Sequence, residues 1–198
     1  MSAMKASLAR LAERADSEGL LDVAYASVDS PFGTLLVAAT PRGIVKLSLP
    51  NYDPGEALEE LAEKVSPRVL EAPARLDRAR RELDLYFEGR LTVFGLPVDW
   101  RLTTGFRGRV QRAIARIPYG QTRTYTDMAR SAGNERAVRA AGTACGSNPI
   151  PIVVPCHRVL RSGGGLGGYG GGLPMKQALL RMEGIAHAGT GASTAPRR

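Results

Sequence analysis

The segment Thr126-Asp127-Met128-Ala129-Arg130-Ser131-Ala132-Gly133-Asn134-Glu135-Arg136-Ala137-Val138-Arg139-Ala140-Ala141-Gly142-Thr143-Ala144-Cys145-Gly146 decides how the C-terminal half folds. Thr126 can cap a short helix through Met128 and Ala129, and Gly133 can close it. Asn134 can cap a second helix, Glu135 to Gly146. Two helices joined by a tight Gly-Asn turn have helix-turn-helix form, a pattern that many helical pairs share. The second helix is nearly smooth, because Ala137, Ala140, Ala141, Gly142 and Ala144 carry little side chain. Arg136 and Arg139 project from one side at i, i+3. Such a face suits close approach to a nucleic acid backbone. It equally suits packing against another helix, and the spacing alone does not choose.

Upstream, Phe106 to Ile117 repeats Val110, Ile114 and Ile117 on one face and stops at Pro118-Tyr119-Gly120. Near Thr103 the pattern changes. Three strand-like runs, Ala24–Val28, Thr34–Ala38 and Gly43–Leu49, are separated by Pro31-Phe32-Gly33 and Pro41-Arg42-Gly43, which predicts an antiparallel meander. Pro54–Val65 and Ala74–Phe87 have helical spacing, and Leu91–Trp100, with Pro97, reads as an edge strand or connector. The fold class is therefore α+β: an extension over residues 1–21, a small antiparallel sheet with helices over 22–100, and a mostly helical unit over 101–186. Residues 187–198, small and polar with little to bury, are expected to be a disordered tail.

The formal net charge of +8 is unevenly spread. Residues 1–100 carry 12 Lys/Arg against 16 Asp/Glu, whereas residues 101–184 carry 13 against 3. A basic half beside an acidic half outlines a polyanion-binding unit, although a generally arginine-rich composition gives the same count. No apolar run approaches the ~20 residues of a membrane span. The first 18 residues lack an apolar core of signal-peptide length. Two cysteines and two histidines fit neither a disulfide framework nor a zinc pattern, so a reduced, cytoplasmic protein without a structural metal is expected.

Downstream, Ile150-Pro151-Ile152-Val153-Val154-Pro155-Cys156-His157-Arg158-Val159-Leu160 places a thiol, an imidazole and a guanidinium in a row. The thiolate is the reactive form of cysteine and needs a base or a positive field. In an extended strand His157 would point away from Cys156, so a relay through water is expected rather than a direct bond. Cys145, among alanines, reads as packing. Glu183 extends the Met175–Leu179 stripe of a last helix that Pro174 begins. It either orients His157 or frays into water beside Gly184. The glycine-rich run Ser162–Gly172 lets backbone N–H groups approach a ligand.

The run Pro155-Cys156-His157-Arg158-Val159, with Asn148-Pro149 before it, resembles the active-site signature of the O6-alkylguanine–DNA alkyltransferases. Ile117-Pro118-Tyr119-Gly120, Thr124-Tyr125, the Arg139 helix, Tyr169-Gly170-Gly171-Gly172, Lys176 and Glu183 extend the resemblance. Tyr86-Phe87-Glu88-Gly89 and Ser30-Pro31-Phe32-Gly33-Thr34 carry it into the N-terminal half. Gln111 stands where an aromatic residue is common, and Phe106-Arg107 replaces a frequent Phe-Gln.

The resemblance implies a ribonuclease H-like N-terminal domain and a winged-helix-like C-terminal domain that flips a damaged guanine from the minor groove. It implies that Cys156 accepts the alkyl group, His157 assists through water, Glu183 orients the imidazole and Asn148 braces the turn. Tyr125, Val159 and Gly170 would hold the guanine edge. Tyr169 and Gly171 would wall the alkyl group, and Lys176 would support the tyrosines. Arg139 would fill the vacated stack, with Arg136, Ala137, Ala140 and Tyr125 against the DNA. No cofactor is implied, because the substrate carries the electrophilic carbon. The partner would be double-stranded DNA containing alkylated guanine, with O4-alkylthymine a second candidate and no membrane. The protein would be a nucleoid-associated monomer, cooperative binding being open. A damage-binding relative without transfer, a cysteine hydrolase and a transcription factor are the competing readings.

Overall fold

A computed structural model describes residues 7, 10–12, 14, 15 and 17–185. The rest of the predicted 1–21 extension and the tail from residue 186 lie outside these residues. Within the extension, Ala12 is buried with Leu21, Ala24 and Ala72.

The meander forms as its alternation demands. Strands β1 (Val23–Val28), β2 (Leu35–Thr40) and β3 (Gly43–Ser48) pair antiparallel, with β2 in the centre. A fourth strand, β4 (Val69–Glu71), lies parallel to β1; its three residues are too few for the pattern to show. Side chains alternate between faces. Val23, Leu36, Ala38 and Val45 meet Ala57 and Leu61 of helix α1 (Pro54–Lys64), whose N-cap is Asp53. Ala26, Val28, Leu35, Val37, Ile44 and Leu47 turn to the other side. There they join Ala79, Leu83 and Tyr86 of helix α2 (Asp77–Phe87). The same core continues without a break into Val110, Ile114, Ile152 and Leu179 of the C-terminal half.

Leu91–Trp100 is a connector, as expected, touching the sheet at one parallel bridge, Ile44 with Val98. Gly43, at φ 132°, lies so close to the Pro97 carbonyl that a Cβ would collide with it. Next to this edge, Leu47 N donates to Pro149 O at 2.8 Å, so β3 grips the segment leading to Cys156.

In the C-terminal half, helix α3 (Gly105–Ile114) packs on α4 (Tyr125–Ser131) and α5 (Val138–Gly146). Two short strands, β5 (Arg123–Thr124) and β6 (Val159–Leu160), pair in parallel, and α6 (Gly172–Met182) closes the unit. The helix pair is present, but its caps differ from expectation. Thr124, not Thr126, caps α4, in a reciprocal capping box with Asp127. Gly133 closes α4 at φ 87°, with Asn134 N reaching back to Ala129 O. Asn134 then spends its side chain on an Asx turn to Arg136 N, so α5 begins three residues later than read. Arg136 precedes the helix, and Arg139 alone of the two is on it. Pro174 occupies the third position of α6 rather than the first. Among the described residues no helix is long and apolar enough to cross a membrane.

Candidate active site

Cys156 is not on a strand. Pro149, Pro151 and Pro155 remove the N–H groups a strand would use, and the chain coils instead. Val154 N bonds Ile150 O and Arg158 N bonds Pro155 O, while Cys156–Arg158 form a 3-10 turn. Ile152 adopts φ 73°, a strained conformation for a β-branched residue. Asn148 holds this turn from inside: its Nδ2 donates to Val154 O at 2.8 Å and its Oδ1 accepts from Ile150 N at 3.1 Å.

The turn separates the two reactive groups. Cys156 is 7% exposed and lines a cavity of about 250 Å³ between the domains. His157 is fully buried and points to Glu183, with 2.8 Å between Nε2 and Oε1. Glu183 therefore orients the imidazole rather than fraying. Its Oε1 also accepts from Tyr86 Oη at 2.6 Å and Arg158 Nη2 at 2.9 Å, and its Oε2 from Arg158 Nε at 2.8 Å. Burial acts to raise its pKa; the hydrogen bonds from His157 and Arg158 outweigh burial and set it at about 2. A carboxylate at Oε1 requires the proton of His157 to sit on Nε2, leaving Nδ1 a bare acceptor. Burial pushes the imidazole pKa down, against the pull of Glu183, which favours this neutral form. Nδ1 has no hydrogen-bond partner among the described residues. No direct Cys156–His157 side-chain bond forms, as expected.

Arg158 does not supply the positive field at the thiol. It is consumed by Glu183 and by Ile117 O, at 2.6 Å from Nη1. Burial pushes the Cys156 thiol up, and the Asn148 side chain and the charge of Lys176 pull it back. Lys176 is fully buried on α6, its pKa lowered by burial to about 8. Its ammonium donates to the carbonyls of Val159, at 2.7 Å, Leu166 and Gly168. It thus ties down the glycine loop that carries Tyr169. Cys145 shares the cavity, but burial drives its thiol up to about 12.

A second cavity, of about 470 Å³, opens on α5 and is walled by Tyr125, Gly142, Gly167, Tyr169 and Gly170. It shares Gly146, Tyr169 and Gly170 with the cavity at Cys156. Gly142 and Gly146 of α5 thus line this hollow. Arg139 and Ala140 on α5 and Arg136 before it are exposed, and Ala137 is half-buried. Val159 and Gly171 lie at the two ends of the glycine loop, on β6 and at the N-cap of α6. Tyr86 and Arg158 as partners of Glu183 were missed from sequence. Tyr86 lies nearly a hundred residues from Glu183, and no local spacing announces such a contact. Among the described residues no group of three or more His, Cys, Asp or Glu is placed to hold a metal.

Two family models cover this architecture. Residues 23–100 match the 6-O-methylguanine DNA methyltransferase ribonuclease-like domain, and residues 105–185 match its DNA-binding domain. The chain belongs to the 6-O-methylguanine DNA methyltransferase family. A methylated-DNA–protein-cysteine methyltransferase of Mycolicibacterium paratuberculosis is 41% identical over 161 residues, 81% of this chain and 92% of that one. The inducible methyltransferase of Bacillus subtilis is 42% identical over 149 residues, 74% and 82% of the two chains. Among solved structures, the Mycobacterium tuberculosis OGT–DNA complex superposes with a TM-score of 0.71 at 38% identity, covering 81% of this chain and 92% of that one. The family's α+β plan, a ribonuclease-like domain followed by a helical DNA-binding domain, is the one described above.

Proposed function

We propose that this methyltransferase repairs double-stranded DNA by moving the alkyl group of O6-alkylguanine irreversibly onto Cys156 Sγ, one group per molecule. The observation that carries this reading is a thiol lining a cavity beside an imidazole whose Nε2 is fixed by a buried carboxylate and whose Nδ1 is bare. Burial keeps the thiol protonated, so its proton must leave as it attacks. His157 Nδ1 takes that proton through a water molecule, and Glu183 stabilises the imidazolium that forms. The sulfur–carbon bond forms as the carbon–O6 bond breaks. The electron pair goes to the guanine, which takes up a proton from water, and the imidazolium releases its own to water, so the net proton passes from thiol to guanine. The products are a thioether and unmodified guanine, and no group at the site is suited to reverse the step.

Delivery of the base uses the α5 face. A slim helix with Ala140 and Gly142 on it and Ala137 at its N-cap suits the minor groove, and the cavity walled by Tyr125, Tyr169 and Gly170 receives the flipped base. Flipping costs a few kcal/mol of stacking, least for a damaged base. Arg139 occupies the vacated stack, Tyr125 presses on the phosphate, and Arg136 adds a phosphate contact. Tyr125, Val159 and the Gly170 backbone hold the guanine edge, with Tyr169 and Gly171 against the alkyl group. The protein acts as a monomer, and O6-methylguanine is the simplest substrate.

The test is intact-protein mass after incubation with a duplex bearing O6-methylguanine. One methyl group should appear, on the Cys156 peptide. Cys156→Ala should still bind the damaged duplex and gain nothing. An unchanged wild-type mass overturns the proposal.

A further inference from the structure

The glycine loop that walls the site is held from two sides. Lys176 holds Leu166 and Gly168 from within. At the other end the N-terminal domain holds it, where Asn51 Nδ2 donates to Gly170 O at 2.8 Å. Tyr52 Oη stands 2.8 Å from where a Cβ on residue 170 would lie. Leu49 Cδ1 is 3.1 Å from the corresponding point on residue 171. Residue 170 is thus glycine where Tyr52 presses on the loop, whereas at residue 171 Met175 Sδ crowds the same point more closely than Leu49 does.

The cavity at Cys156 lies in the same place. Leu47, Leu49 and Tyr52 form its N-terminal-domain side, and Pro149, Pro151 and Tyr169 the other. The cleft holds about 250 Å³, spread from Lys46 to Gly170, and only the part beside Cys156 is open to a group on Sγ. An alkyl group arriving at Sγ must fit beside Cys156, so the width of this cleft limits its size.

We infer that Asn51 and Tyr52 set the upper size limit of the transferred alkyl group by latching Gly170 and so fixing the width of the cleft at Cys156. The inference rests on the proposed alkyl transfer. Both side chains are exposed, Tyr52 by 48%, so removing them disturbs no core. They are positioning residues, acting on the reaction through the loop. A methyl group fits whether the latch is closed or open. A benzyl group needs the room that a closed latch restricts.

The experiment measures single-turnover transfer from one duplex sequence carrying either O6-methylguanine or O6-benzylguanine. Wild type is compared with Asn51→Ala, Tyr52→Ala and the milder Tyr52→Phe. The benzyl-to-methyl rate ratio should rise about five-fold in Asn51→Ala, the factor one net hydrogen bond supports, and should rise in Tyr52→Ala, which takes a ring off the loop, more than in Tyr52→Phe. In Asn51→Ala, whose side chain does not line the cavity, methyl transfer should stay within about two-fold of wild type, less than a lost hydrogen bond would cost it. A wild type that accepts methyl, with an unchanged or lower ratio in the variants, overturns this inference alone. A wild type that accepts neither group overturns the functional reading and this inference with it.

Discussion

Tyr86, on α2 of the N-terminal domain, donates a 2.6 Å hydrogen bond to Glu183 Oε1 at the end of α6, 3.4 Å from His157 Nε2. The residue that positions the imidazole is thus itself positioned by the other domain. Tyr86→Phe keeps the ring in the core and removes only the hydroxyl. Loss of a bond to a charged acceptor should cost about 1.5–3 kcal/mol, read from urea unfolding. Methyl transfer should slow, though less than in Glu183→Gln, because Arg158 still holds the carboxylate.

Glu183→Gln tests the buried ion pair. It leaves Arg158 buried against a neutral amide, a change worth about 3–5 kcal/mol at neutral pH. The sign of the pH effect follows from the depressed pKa. The carboxylate stabilises the fold fully above its ordinary value of 4.5, and that contribution drains away as pH falls toward about 2. Wild-type stability should decline across this window, and the variant's slope should be shallower by up to about one proton.

Cys145→Ala should leave alkyl uptake at one group per molecule, because a thiol pushed up to about 12 is not ionised at neutral pH. Intact mass after reaction with damaged duplex checks this. Loss of uptake, or a second group on Cys145 in wild type, would contradict the assignment of Cys156 as sole acceptor.

Asn148→Ala frees Val154 O and Ile150 N beside the strained Ile152. A cost of about 1–3 kcal/mol is expected in denaturant unfolding, with slower transfer. Asn148→Asp should fall between the two, since a carboxylate can accept from Ile150 N but cannot donate to Val154 O.

Arg139→Ala separates base flipping from chemistry. Transfer from a damaged duplex should slow, whereas reaction with free O6-benzylguanine, which needs no flipping, should be unchanged. Equal loss on both substrates would rule out stack filling by Arg139.

Much of this was legible in the chain. The meander was readable because residues such as Leu36 and Val37 alternate between two apolar faces. The Cys156-His157 pair, and Glu183 as one of two readings, were visible from residue type and helical spacing. The strand context of Cys156 was misread, because apolar β-branched residues outweighed three prolines that deny the ladder its donors. Arg158 was credited to the thiol on adjacency, yet a 3-10 turn sends its neighbours in different directions, and Lys176, twenty residues on, is the nearby charge. The cap at Thr124 was missed because Thr126 offers the same hydroxyl without the reciprocal Asp127. Tyr86 and the Leu47–Pro149 bond are products of packing between halves, and no window of sequence contains both partners.

That packing has a consequence for how the molecule comes apart. Leu47 and Leu83 interlock with Ile114, Ile152 and Leu179 in one uninterrupted interior. A chain severed between the halves would expose two greasy, half-built surfaces, and neither fragment would hold its shape alone. Calorimetry on the intact protein should accordingly record a single cooperative endotherm rather than two.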